Sequence, residues 1–112
     1  MNKYISTNFG ALEEKDSLFK NSKIVIIPVP YDETSTWIKG SDSGPDAIIQ
    51  ASANMELYDI ETRSEVYKNG IFTAPPITEK SSPEKMVEAV ELVVEKYLNN
   101  GFFPVVIGGE HS

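Results

Sequence analysis

The apolar positions of this chain fall into short solid runs and longer helical stripes, separated by polar stretches rich in glycine and proline. Lys23-Ile24-Val25-Ile26-Ile27-Pro28-Val29-Pro30 holds four β-branched residues in a row, the pattern of a strand buried on both faces, as in a parallel sheet. Pro28 and Pro30 cannot donate ladder hydrogen bonds, so this strand should stop near Ile27 or Val29. The clearest helix runs from Ser82 to about Asn99. Ser82 suits the N-cap, Pro83 the first turn and Glu84 the positive end of the helix dipole. Met86, Val90, Val93 and Tyr97 make one apolar stripe, which Val87, Val94 and Leu98 widen; Glu88, Glu91, Glu95 and Lys96 make the wet side. Asn99-Asn100-Gly101 reads as a C-cap. Phe102-Phe103-Pro104-Val105-Val106-Ile107 then reads as a second strand buried on both faces. A helix bracketed by such strands is the βαβ pattern of an α/β fold.

Weaker signals fill the rest. Gly44-Pro45-Asp46 marks a helix start, and Ala47, Ile48, Ala51 and Met55 recur as its apolar face. Tyr58-Asp59-Ile60 suggests an extended segment, and Gly70-Ile71-Phe72-Thr73 a short strand before Pro75-Pro76. Residues 1–22 read as a surface arm or, alternatively, as a disordered or loosely packed terminus, with Leu12, Leu18 and Phe19 on a short amphipathic turn or helix and Asp16, Ser17, Asn21 and Ser22 favouring turns. Tyr31 to Ser43 is a long polar loop at the carboxyl end of the first strand, the side on which α/β folds bind ligands. The one tryptophan, Trp37, lies in this loop. The preferred reading is a plug that holds the loop down; the other is a binding or subunit surface.

Composition narrows the function. Ten basic and seventeen acidic residues leave a net charge of −7 on 112 residues, which argues against nonspecific nucleic-acid binding. No apolar run is long enough for a membrane helix, and the amino terminus lacks a signal peptide's apolar stretch. A cytoplasmic protein is expected. Cysteine is absent, which excludes disulfides, thiolate metal sites and cysteine nucleophiles.

The chain ends Gly108-Gly109-Glu110-His111-Ser112, directly after the last strand. Few strands and helices precede it for an open parallel sheet, so the expectation is a cut through a larger domain. Paired glycines let the backbone turn sharply beside another group. His111 is the only histidine. At the carboxyl end of a strand it is placed for chemistry, and a neutral imidazole there suits a divalent metal. A lone histidine is nonetheless more often structural. The segment matches neither the dinucleotide fingerprint nor a phosphate loop.

Taken together, several blocks resemble the ureohydrolase family of arginases and agmatinases. They are Val29-Pro30-Tyr31-Asp32-Glu33-Thr34, Gly40, Gly44-Pro45-Asp46-Ala47-Ile48, Ala51-Ser52, Glu56-Leu57-Tyr58-Asp59 and the run from Gly101 to Ser112. Glu110 before His111, with the Tyr-Asp-x-Thr loop, looks more like agmatinases than arginases. The resemblance implies an arginase-like three-layer α/β sandwich with a parallel sheet. It makes 1–112 the N-terminal portion of a single domain. It also implies two manganese ions, with His111 at the first metal-ligand position, and a small guanidinium substrate. In agmatinases that substrate is agmatine, giving putrescine and urea in polyamine metabolism. Family members are usually homo-oligomers, so the resemblance implies a homo-oligomer. Two bridged divalent ions would lower the pKa of a shared water and aim the hydroxide at the unreactive guanidinium carbon. The family's later motifs, Asp-x-His-x-Asp and Asp-x-Asp-x-x-Asp, have no counterpart here. The chain alone is therefore expected to be inactive, with at most one weak metal position. Two alternatives stand beside this reading: a noncatalytic interaction module that pairs through its sheet edge, and a hydrolase of another guanidino or formimino substrate.

Overall fold

The computed structural model describes residues 8–112. The first seven residues of the expected arm lie outside the described residues. Three parallel strands, β1 (Ile24–Val29), β2 (Ile71–Thr73) and β3 (Phe103–Gly108), form a sheet in the order β2-β1-β3. Helix α1 (Gly44–Ser52) lies in the β1–β2 connection and helix α2 (Pro83–Asn99) in the β2–β3 connection.

β1 is central, which is why its β-branched run is buried on both faces. Side chains alternate across a strand. Val25, Ile27 and Val29 share one face and pack with Met86 and Tyr97 of α2, together with Tyr31, Ala74 and Phe102. On the other face Pro28 borders a small cavity with Pro45 and Ile49 of α1. One helix therefore covers each face, giving the helix–sheet–helix sandwich that the resemblance implies.

Both prolines inside strands sit where no ladder donor is lost. The Pro28 carbonyl accepts from the Ile77 N–H at 2.9 Å, so Pro28 turns its backbone toward the β2 side, past the end of β2 at Thr73. Phe103 donates to the Lys23 carbonyl at 2.7 Å; its neighbour Pro104 faces away from β1, toward the open edge of β3.

α2 matches its reading closely. The Ser82 hydroxyl accepts from the Lys85 N–H at 3.1 Å, and Met86 and Tyr97 are its buried residues. Val90, Val93 and Val94 pack against the same core. Val87 and Leu98, expected to widen the stripe, are exposed.

Three expectations are overturned. The apolar face of α1 is not Ala47, Ile48, Ala51 and Met55, all of which are exposed; Pro45, Ile49 and Ser52 are buried instead. A polar Ser52 is tolerated there because its hydroxyl donates to the Ile49 carbonyl and accepts from the Gly10 N–H at 2.7 Å. β3 is not buried on both faces: Phe103 is 68 % exposed, because among the described residues β3 has only β1 beside it. Tyr58-Asp59-Ile60 is no strand but a turn. Asp59 and Ser64 exchange backbone hydrogen bonds at 2.8 and 3.2 Å, and the Asp59 carboxylate accepts from the Glu61 N–H and the Thr62 hydroxyl. Of the turn or helix expected at Leu12, Leu18 and Phe19, the turn is what forms: residues 8–22 run through three short 3₁₀ turns, with Phe19 in the last. This segment is tied to the body by the Phe9 N–H on the Thr73 hydroxyl. Phe19 rests at a ring-centroid distance of 5.4 Å from Phe72 and 5.0 Å from Phe102.

Candidate functional site

The carboxyl ends of β1 and β3 lie side by side, with Val29 paired to Gly108. The chain leaves β1 as Pro30-Tyr31-Asp32 and leaves β3 as Gly109-Glu110-His111, so the two most suggestive segments of the sequence meet at one end of the sheet. The Glu110 N–H donates to the Tyr31 carbonyl at 2.9 Å. The crossing depends on Gly109, whose φ is +36°.

Two carboxylates shape the loop that follows β1. Asp32 is buried and accepts from the Ser35 hydroxyl, the Gly40 N–H and the Ser41 N–H. Its pKa is lowered, chiefly by the Ser35 hydroxyl and then by the Gly40 amide, which outweigh its desolvation. The Lys39 ammonium, 3.9 Å away, adds a weak attraction. Glu110 reaches the same loop from the other strand. It accepts from the Glu33 N–H at 2.8 Å, the Thr34 N–H at 2.7 Å and the Thr34 hydroxyl at 2.6 Å. Its pKa is lowered as well, first by the Thr34 hydroxyl and then by the two amides, against an opposing desolvation.

His111 is exposed and borders an open cleft of about 760 Å³ that it shares with Thr34, Trp37, Ile38 and Ser112. Trp37 is no plug. It is 89 % exposed, and the loop is held instead by the hydrogen bonds of Asp32 and Glu110. Tyr31 is buried and borders a separate cavity with Met86, Val90 and Val94 of α2, and its hydroxyl has no hydrogen-bond partner among the described residues. Burial, and then the negative charge of Glu110, push its pKa up.

As a metal position, His111 offers one imidazole. Among the described residues no group of three or more histidine, cysteine, aspartate or glutamate side chains gathers around a common point. The neighbouring carboxylate of Glu110 is engaged by the loop. These residues do not make up a binuclear manganese site, so no reaction step follows from them alone.

Asp32 and Glu110 carry the site's architecture, and neither stood out as a site residue in the sequence. Asp32 did carry a local signal: a serine three positions on, and a Gly-Ser pair beyond it, fit an aspartate that closes a turn on itself. Glu110 was noted only as a point of resemblance to agmatinases; nothing local announced its role in the loop, because its partners lie 76 and 77 positions away.

A sequence profile described as the arginase family matches residues 22–112. The chain is 32 % identical to an N(1)-aminopropylagmatine ureohydrolase of Synechocystis, aligned over 99 % of this chain and 39 % of that protein. Its fold is similar to the crystal structure of an agmatine ureohydrolase of Thermoplasma volcanium, at a TM-score of 0.79 and 27 % identity, covering 94 % of this chain and 35 % of that one. A Trypanosoma cruzi formiminoglutamase with Mn²⁺ is similar at a TM-score of 0.66 and 29 % identity, covering 96 % of this chain and 36 % of that one. The chain thus spans little more than a third of the length of these proteins.

Proposed function

The chain belongs to the arginase family, and on that premise we propose that residues 1–112 form the N-terminal portion of one ureohydrolase domain. In its complete form this domain hydrolyses a guanidinium compound, agmatine, to putrescine and urea. The observation that carries the reading is the meeting of His111 with the Thr34–Ile38 loop in one open cleft. That cleft lies at the carboxyl end of parallel strands, where α/β folds bind ligands.

His111 is the proposed ligand to one of two manganese ions. A neutral imidazole suits manganese in a mixed histidine and carboxylate set. Support comes from the similarity to a formiminoglutamase with Mn²⁺. The other ligands would come from polypeptide equivalent to the part of the relatives that this chain does not span, so the chain by itself is proposed to be inactive. A cationic substrate suits a chain of net charge −7. The complete protein is proposed to be a cytoplasmic homo-oligomer. No helix among the described residues is long and apolar enough to cross a membrane.

A second substrate, N(1)-aminopropylagmatine, is favoured by the Synechocystis relative, which is named for it.

The test is a graft. Residues 22–112 replace the corresponding segment of the Thermoplasma volcanium enzyme, and urea is measured with Mn²⁺ and either guanidine. Urea release is expected, and His111→Ala should lower it by about 100-fold or more. A folded graft that releases urea from neither compound would overturn the hydrolase reading.

A further inference from the structure

We infer that Glu110 is a positioning residue that latches the Glu33–Thr34 corner against the end of β3, and so holds the wall of the cleft beside His111. Both oxygens of its carboxylate are used. One accepts from the Glu33 and Thr34 amides at 2.8 and 2.7 Å, and the other accepts from the Thr34 hydroxyl at 2.6 Å. Its own N–H holds the Tyr31 carbonyl at 2.9 Å, so main chain and side chain grip the same loop from one residue. Three donors converging on one side chain call for several lone pairs, which a carboxylate offers.

The latch is one of two fixed points. Asp32 holds the loop again at Ser35, Gly40 and Ser41. Between these points Thr36, Trp37 and Ile38 have no core to rest on, and Trp37 and Ile38 are exposed. Asp32 closes the loop on itself on both flanks of this stretch, whereas the Glu110 carboxylate ties the closed loop to the end of β3; without the latch the loop would be free to shift as a unit. Glu110 is not part of the hydrophobic core. Removing it should therefore loosen the loop while leaving the sheet intact.

The purpose of the latch, setting the wall of a guanidinium site, rests on the function proposed above. Its existence does not. It is tested without metal or substrate, so its failure is distinguishable from failure of the hydrolase reading.

Trp37 is the only tryptophan and reports on the loop directly. The experiment compares the chain with Glu110→Ala, Glu110→Gln and Thr34→Val by Trp37 fluorescence anisotropy, amide exchange and thermal melting. In Glu110→Ala, exchange at Glu33 and Thr34 should speed up by about tenfold or more and anisotropy should fall. Exchange at Val25 and Ile27 in β1 should stay as it was. Glu110→Gln should recover most of the protection, since its amide oxygen can accept from the two N–H groups and its NH₂ can donate to the Thr34 hydroxyl. Unchanged exchange and anisotropy in Glu110→Ala would overturn the inference. So would a loss of protection that spreads equally into β1, the mark of a merely structural role. If Glu110→Ala does not fold, Thr34→Val decides: lower anisotropy supports the latch, and unchanged anisotropy overturns it.

Discussion

Gly109 passes so close to Tyr31 that a Cβ built on it would stand 2.6 Å from the Tyr31 carbonyl oxygen and 2.8 Å from its nitrogen. The contact is backbone against backbone, so nothing can swing aside, and the φ of +36° is itself unfavourable for a side chain. This crossing brings Glu110 and His111 over the loop that follows β1. Gly109→Ala is expected to destabilise the chain by on the order of 2–4 kcal/mol. It should also separate the Glu110 carboxylate from the Thr34 amide. Urea denaturation followed by circular dichroism measures the first effect, and amide exchange at Thr34 the second. A change below about 0.5 kcal/mol would mean the two segments do not cross this tightly.

The rotation of α1 predicts a contrast between neighbouring isoleucines. Ile49 is buried, whereas Ile48 is exposed. Ile49→Ala should cost about 2–4 kcal/mol and Ile48→Ala less than about 0.5 kcal/mol. The reverse order in denaturant midpoints would restore the face expected from periodicity.

Ser52 supplies the acceptor for the buried Gly10 N–H at 2.7 Å. Ser52→Ala leaves that donor without a partner and is expected to cost about 1–3 kcal/mol. Amide exchange at Gly10 should accelerate while exchange in β1 is slowed or sped only by the global change in stability. Unaltered exchange at Gly10 would show that the 8–22 segment is held by other contacts.

The loop should respond to acid through Asp32. Its folded pKa lies below the unfolded value, through the Ser35 hydroxyl first and the Gly40 amide next. Its contribution is therefore complete above about pH 3.9 and is lost as the pH falls through the lower folded value. Lys39 faces the same carboxylate at 3.9 Å. Trp37 emission and anisotropy should change in that acidic window, and Asp32→Asn should alter the amplitude of that change. An identical acid titration in Asp32→Asn would assign the transition to another carboxylate, Glu110 included.

The N-cap of α2 gives a simple local test. The Ser82 hydroxyl accepts from the Lys85 N–H at 3.1 Å. Ser82→Ala should cost about 1 kcal/mol and Ser82→Asp much less, since aspartate caps equally well. Equal losses in both variants would remove the cap as the cause.

What the sequence by itself determined are features whose physics acts over a few residues. The β-branched run of β1, the capped and striped α2, the glycine stop after it and the parallel βαβ order were all legible, because period, cap and turn chemistry are local. The arginase-family likeness was legible too, from ordered blocks ending at Ser112. Tertiary structure alone decided the rest. It turned α1 onto Ile49 and Ser52, because the Gly10 amide, distant in sequence, joins the local Ile49 carbonyl in satisfying a buried serine. It left Trp37 in solvent, because Asp32 and Glu110 already hold the loop with hydrogen bonds. It left Phe103 exposed, because burying both faces of a strand needs covering neighbours distant in sequence, and among the described residues β3 has only β1 beside it. And it brought Glu110 to Thr34 across 76 positions, a contact that exists only once β1 and β3 are paired.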